Sequence, residues 1–140
     1  MSVIMERSHP RALGRGPAFL LAAAFPLFLG ALLCDWAYWS TYQIQWSNFA
    51  SWLMAGGLVF AGIALVLSLF GLFGENRRGG LGYFLLLLAL FVTGFINSLV
   101  HARDAWAVMP MGLVFSVVVL VLATVATGIA FSGLRPELRP

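Results

Sequence analysis

The sequence has few of the residues that build soluble active sites and metal centres. Among its 140 residues there are no lysines, one cysteine, two histidines and only 9% charged residues. A single cysteine, Cys34, excludes an internal disulfide and a thiolate metal cluster, and zinc has too few candidate ligands. The eight arginines are dispersed instead of forming a basic patch with interleaved aromatic residues. The composition therefore predicts no metal site and no nucleic-acid partner.

Apolar residues are what the sequence has in excess. They make up 61% of the chain, and the mean hydropathy is +0.96, well outside the range of soluble domains. Four apolar runs are each long enough, at 1.5 Å per residue, to cross most or all of a hydrocarbon core of ~30 Å. We predict an all-α integral membrane four-helix bundle, with a basic tail at 1–17, a four-span domain at 18–131, a second tail at 132–140, and spans at about 18–36, 52–73, 81–100 and 108–131.

The distribution of arginines predicts the orientation of these spans. Two tails and the turn between the second and third spans together carry seven arginines, whereas the other two connections carry only Arg103. Basic residues are enriched on the cytoplasmic side of membrane proteins. Both termini are therefore expected in the cytoplasm, together with the predicted cytoplasmic arginines Arg7, Arg11, Arg15, Arg77, Arg78, Arg135 and Arg139.

The segment 37–51 is predicted to be the longest connection, on the outer side of the membrane. It contains Tyr38, Trp39, Tyr42 and Trp46 among serine, threonine, glutamine and asparagine, and it carries no charge. Aromatic rings with one polar edge favour the headgroup level, so we expect this loop to lie in the interface. An aromatic binding platform is the alternative interpretation.

A row of small residues follows one face of the second span. Its five members are spaced so that they share a helical stripe: Gly57, Ala61, Ala64, Ser68 and Gly71. Small residues allow two helix backbones to approach closely in a membrane, where apolar surface alone does not drive association. We expect this small-residue stripe to pack against a helix of the same chain or of another subunit.

Most of the remaining polar chemistry lies at the outer ends of the spans. We define the predicted polar cluster as six residues at similar depth: Asp35, Asn97, His101, Arg103, Asp104 and Trp106. An acid just inside the membrane needs a partner, and His101 or Arg103 is the nearest candidate for Asp35. The cluster is either a structural clasp or a ligand site, and no cofactor is predicted. Haem or a quinone remains an alternative for the ligand.

Several of these residues also carry a family resemblance. Phe25 and Pro26 followed by Asp35, the small-residue second span, and the segment 97–106 leading to Pro110 and Gly112 resemble a family of small four-span bacterial inner-membrane proteins of uncharacterised function. Many relatives have a histidine just before the Phe-Pro pair, where this chain has Ala24, so a role for that histidine does not transfer. The resemblance implies a four-span fold in the bacterial inner membrane and no established activity.

The functional expectation is a small protein without catalysis. Almost no mass lies outside the membrane, and no activated nucleophile or acid–base pair is recognisable. We predict a multi-pass protein of the bacterial inner membrane that contacts lipid and acts as an accessory or anchoring subunit of a larger complex, or forms a homo-oligomer. The alternative is an autonomous protein that binds a quinone, haem or another small ligand at the predicted polar cluster.

Overall fold

Four long helices account for nearly all of the described chain. The computed structural model describes residues 15–73, 77–103 and 105–132. The elements in chain order are α1 (Arg15–Thr41), α2 (Ile44–Gly71), α3 (Arg77–His101), a short 3-10 helix (Ala105–Ala107) and α4 (Met111–Ser132). Each of α1 to α4 is long and apolar enough to cross a membrane. The predicted all-α bundle of four membrane-length helices is confirmed.

The helices form a ring that follows the order of the chain. α1 packs against α2 and α4, and α3 packs against the same two helices. The pairing of α1 with α2 is antiparallel, because Gly16 faces Leu67 at one end and Gly30 faces Leu53 nearer the other. Every helix therefore has two neighbours and one face directed outward.

Small side chains fill much of the interior, whereas many large apolar side chains point outward. Ala24, Ala31 and Ala126 are fully buried, but Phe19 and Phe70 are 72% and 67% exposed. Small interior residues let helices approach closely, and large apolar residues outside suit contact with lipid chains. This distribution is the one expected for a bundle that is surrounded by hydrocarbon.

The small-residue stripe is covered by the chain's own α1. Its first four members, Gly57 to Ser68, are buried, and a Cβ atom built at Gly57 would lie 2.5 Å from Cε1 of Phe28. Gly71 is exposed, and a Cβ atom there would meet nothing within 4 Å. Of the two partners expected for the stripe, α1 of the same chain occupies it, so the stripe is not a free surface for docking another subunit.

The prediction of a long loop at 37–51 was wrong. Only Tyr42 and Gln43 separate α1 from α2. The hydroxyl groups of Ser40 and Thr41 donate hydrogen bonds to the backbone oxygen of Ala37, which lets these polar residues continue a helix. At 27 and 28 residues, α1 and α2 are about 40 Å long, close to the ~40–45 Å of a bilayer with its headgroups. Tyr38, Trp39 and Trp46 are therefore expected to reach the interface on helices.

Tyr42 makes the turn between α1 and α2 in a left-handed conformation, with φ of 54°. Its N–H donates to the backbone oxygen of Tyr38 at 2.7 Å, which closes the end of α1. Glycine is the usual residue at such a position, but the Tyr42 ring stacks on Trp106 with centroids 6.2 Å apart. The link between α1 and α2 thereby contacts the connection between α3 and α4.

Three of the seven arginines predicted to be cytoplasmic are described, and they lie at the end of the bundle away from the Tyr42 turn. Arg15 begins α1, and Arg77 and Arg78 begin α3. The other four, Arg7, Arg11, Arg135 and Arg139, lie outside the described residues.

Candidate functional site: a buried polar network and an adjoining groove

Asp35 is fully buried near the carboxy-terminal end of α1. Its Oδ2 atom accepts a hydrogen bond from Ser116 Oγ on α4 at 2.5 Å. Its Oδ1 atom lies 2.7 Å from Nε2 of His101 at the end of α3. Since an isolated charge is costly in a membrane, these two contacts explain how an acid is accommodated here.

The contact of His101 Nδ1 determines the protonation of the Asp35–His101 pair. Nδ1 is 2.9 Å from the backbone oxygen of Asn97, which can only accept a hydrogen bond. Nδ1 therefore carries a proton, and one further proton lies between Nε2 and the Asp35 carboxylate. Whether this proton is on the imidazole or on the acid, the Asp35–His101 pair has no net charge.

Asn97 completes the arrangement from the interior of α3. Its Nδ2 donates to Ser116 Oγ at 2.8 Å, and both residues are fully buried. Oδ1 of Asn97 is also buried and has no hydrogen-bond partner among the described residues. Asp35, Asn97, His101 and Ser116, which we call the Asp35 network, thus join α1, α3 and α4 at one depth.

The structure brings together three of the six residues in the predicted polar cluster: Asp35, Asn97 and His101. Of the two candidate partners for Asp35, His101 makes the contact, and Arg103 is exposed. Trp106 is 82% exposed and contacts Tyr42 instead, and Asp104 lies outside the described residues. The functional role of the cluster stays a prediction.

Ser116 is the member of the Asp35 network that the sequence prediction missed. A hydroxyl in an apolar helix usually bonds to its own backbone, so it attracts little notice. Its depth in the membrane was the available signal. Ser116 lies about one turn from the start of α4, and Asn97 lies one turn from the end of α3, so the two residues are at a similar depth. Combining depth with the buried acid would have selected it.

Gly112 leaves the space that the His101 ring occupies. A Cβ atom at Gly112 would lie 3.2 Å from Cε1 of His101 and 2.7 Å from Cγ1 of Val108, which is itself fully buried. We expect Gly112→Ala to displace the ring and to lower the free energy of unfolding by about 1–3 kcal/mol, as overpacking does.

Gly128→Ala is the matched control for this prediction. Gly128 lies in the same helix, and a Cβ atom there would meet nothing within 4 Å. Thermal unfolding of both variants in the same detergent makes the comparison. Equal stability of the two alanine variants would contradict the packing role of Gly112.

A groove runs along the exposed surface of the bundle between α2 and α3, and His101 lies at one end of it. Its main part has a volume of about 610 Å³. A smaller part of about 300 Å³, lined in part by His101, shares Ala55 and Ser98 with the main part. We call the whole the α2–α3 groove. The residues that line it are Ser51, Trp52, Ala55, Leu58, Val59, Gly62, Ile63, Val66, Phe91, Phe95, Ser98, His101 and Ala102.

The hydrogen bonds of the Asp35 network limit its chemistry. Ser116 donates its proton to Asp35 and not to His101, so the serine, histidine and acid do not form the relay that activates a nucleophile. Both ring nitrogens of His101 are occupied, so ligation of a haem iron would break the contact to Asp35 or to Asn97. The geometry is that of a hydrogen-bonded clasp beside an apolar groove.

Comparison with known proteins gives one match. The family model described as "Predicted membrane protein (DUF2231)" matches residues 18–132, which span all four membrane-length helices except the first few residues of α1. No curated protein and no solved structure shows a significant match. Because the match covers most of the chain, this protein, with its four membrane-length helices, belongs to the DUF2231 family of predicted membrane proteins.

Proposed function

We propose that this protein is a non-catalytic membrane protein that binds a lipid-soluble small molecule in the α2–α3 groove. The observation that carries the proposal is that the two parts of this groove share Ala55 and Ser98 and that His101 is among the residues lining the smaller part. Ligand sites in proteins are commonly apolar clefts with a few polar groups at one end, which is the arrangement found here. The hydrogen bonds of the Asp35 network, in which Ser116 contacts Asp35 and not His101, support a role without catalysis.

The small-residue stripe also favours an autonomous protein over a docking subunit. A stripe that packs against α1 at Gly57 contributes to the fold of one chain. The α2–α3 groove, in contrast, opens toward the surrounding membrane and is lined by exposed side chains such as Val59 and Ile63. A lipid-soluble ligand could enter it sideways from the bilayer.

Native mass spectrometry of the protein extracted in a mild detergent tests this proposal. We expect the 15.2 kDa chain to retain a bound molecule of small mass. Ala55→Phe should abolish retention, because Ala55 is an exposed residue that lines both parts of the groove. Ala22→Phe on α1, also exposed but outside the groove, is the control and should retain the molecule. Equal retention in both variants would overturn the proposal.

A second candidate function is that of an accessory subunit in a larger complex. The observation that favours it is the exposed aromatic surface at the outer end, where Trp36, Trp52 and Trp106 are 66%, 79% and 82% exposed. Large exposed apolar residues mark contacts with membranes or with proteins. In the same native mass measurement, a larger partner in fixed stoichiometry would favour this function over ligand binding.

We also propose that the protein lies in the bacterial inner membrane with both termini in the cytoplasm. Arg15, Arg77 and Arg78 all begin helices at one end of the bundle, which supports this orientation. A carboxy-terminal fusion to green fluorescent protein should fluoresce, and a fusion to alkaline phosphatase should be inactive. An active phosphatase fusion would show that the carboxy terminus lies on the outer side.

A further inference from the structure

We infer that the ligand of the α2–α3 groove is an isoprenoid quinone, with its ring beside Ser98 and its tail along α2 and α3. This inference rests on the proposed function and adds the chemical class of the ligand. Three features of the groove carry it: its length, the absence of charge along its described lining, and one hydroxyl group that lacks a hydrogen bond.

The length of the groove favours a long, single-tailed molecule. Its lining on α2 extends from Ser51 to Val66, which is about 22 Å at 1.5 Å per residue. One leaflet contributes about half of a ~30 Å hydrocarbon core, so the groove passes the middle of the membrane. The acyl chains of a phospholipid stay within one leaflet, whereas an isoprenoid tail is long enough to follow the whole groove.

The lining favours an uncharged headgroup. His101 is the only titratable side chain among the described residues that line the groove, and its pairing with Asp35 carries no net charge. A phosphate group would find no cation in this lining, and a bound anion needs a charged or strongly donating partner. A neutral ring with carbonyl groups meets this condition.

Ser98 provides the hydrogen bond for such a carbonyl. Its Oγ atom is buried and has no partner among the described residues, and Ser98 belongs to both parts of the groove. A buried hydroxyl without a partner is costly, and rotation of the Ser98 side chain toward the groove would let a carbonyl oxygen of the ligand accept its proton. Ser51, which also lines the groove, already donates to the backbone oxygen of Ser47 at 2.9 Å. Trp52, which lines the same part of the groove, adds a flat ring surface.

The experiment measures binding of decylubiquinone to the full chain in nanodiscs that contain a single phosphatidylcholine. We expect saturable binding to the unaltered protein. Ser98→Ala should weaken it about 2- to 12-fold, the range for one net hydrogen bond. Ser51→Ala should leave the affinity unchanged, because that hydroxyl is engaged within α2. Ala55→Phe should abolish binding, and Ala22→Phe should preserve it.

Solvent extraction and mass analysis of the molecule retained from native membranes separate the two levels of the argument. A quinone that is lost in Ala55→Phe supports both the inference and the proposed function. Retention of a phospholipid or an isoprenoid alcohol, lost in the same variant, would overturn the quinone inference and leave the proposed function standing. If no retained molecule depends on Ala55, both the inference and the proposed function are overturned. If Ser98→Ala and Ser51→Ala bind decylubiquinone with equal affinity, the inference alone is overturned.

Discussion

Replacing His101 with alanine should lower the free energy of unfolding by about 3–5 kcal/mol, the range for removing one member of a buried charged pair. The expected cause is the Asp35 carboxylate, which would keep the hydrogen bond from Ser116 but lose the proton that it shares with His101. Asp35→Ala should cost a similar amount. Unfolding of the purified protein by sodium dodecyl sulfate in mixed micelles measures both.

The double variant separates pairing from packing. If the two residues act as a pair, replacing both with alanine should cost less than the sum of the two single replacements, because neither residue is then left without the other. Arg103→Ala is the control, since Arg103 is a nearby charged residue that is exposed, and its removal should change stability by less than about 0.5 kcal/mol. Single-variant losses that simply add would contradict the pairing.

Gly57→Leu should prevent the bundle from folding, and Gly57→Ala should destabilise it by about 1–3 kcal/mol. A Cβ atom at Gly57 would lie within 3 Å of three atoms of the Phe28 ring. Phe28 is fully buried, so its ring cannot move aside without displacing its neighbours. The gain in helix propensity from glycine to alanine, up to about 1 kcal/mol, offsets only part of this cost. Thermal unfolding in detergent measures the difference.

Two further variants make the Gly57 prediction specific. Gly71→Ala changes another member of the small-residue stripe, but its Cβ would meet nothing within 4 Å, so it should be neutral or stabilising. Phe28→Leu, which removes ring atoms next to Gly57, should recover part of the stability lost in Gly57→Ala. Equal effects of Gly57→Ala and Gly71→Ala would show that α1 does not press on the stripe at Gly57.

The sequence was sufficient to predict the class and the number of helices. Apolar runs bounded by arginines and glycines indicate membrane spans because burial in hydrocarbon depends on composition more than on detailed packing. The helices α1 and α2 extend into the predicted loop, because uncharged polar residues such as Ser40 and Thr41 look like a loop but bond to their own helix. Hydropathy alone does not distinguish these two states.

The candidate site could be predicted only in part, because its geometry depends on how the helices are rotated and not on hydropathy. Depth placed Asp35, Asn97 and His101 at one level, but depth does not determine how each helix is rotated about its axis. That rotation decides that His101 faces Asp35 and that Ser116 joins them, whereas Arg103 lies beyond the end of α3. The α2–α3 groove likewise depends on how Gly62 and Phe91 meet, which neither segment specifies by itself.

The neutrality of the Asp35–His101 pair has an electrical consequence. The membrane potential acts on net charge, at ~2.3 kcal/mol per elementary charge moved across 100 mV. A pair that exchanges one proton over the 2.7 Å between Nε2 and Oδ1 moves charge through only a small part of that potential. The Asp35 network should therefore keep the same structure in an energised cell and in a depolarised one, so its geometry is insensitive to voltage.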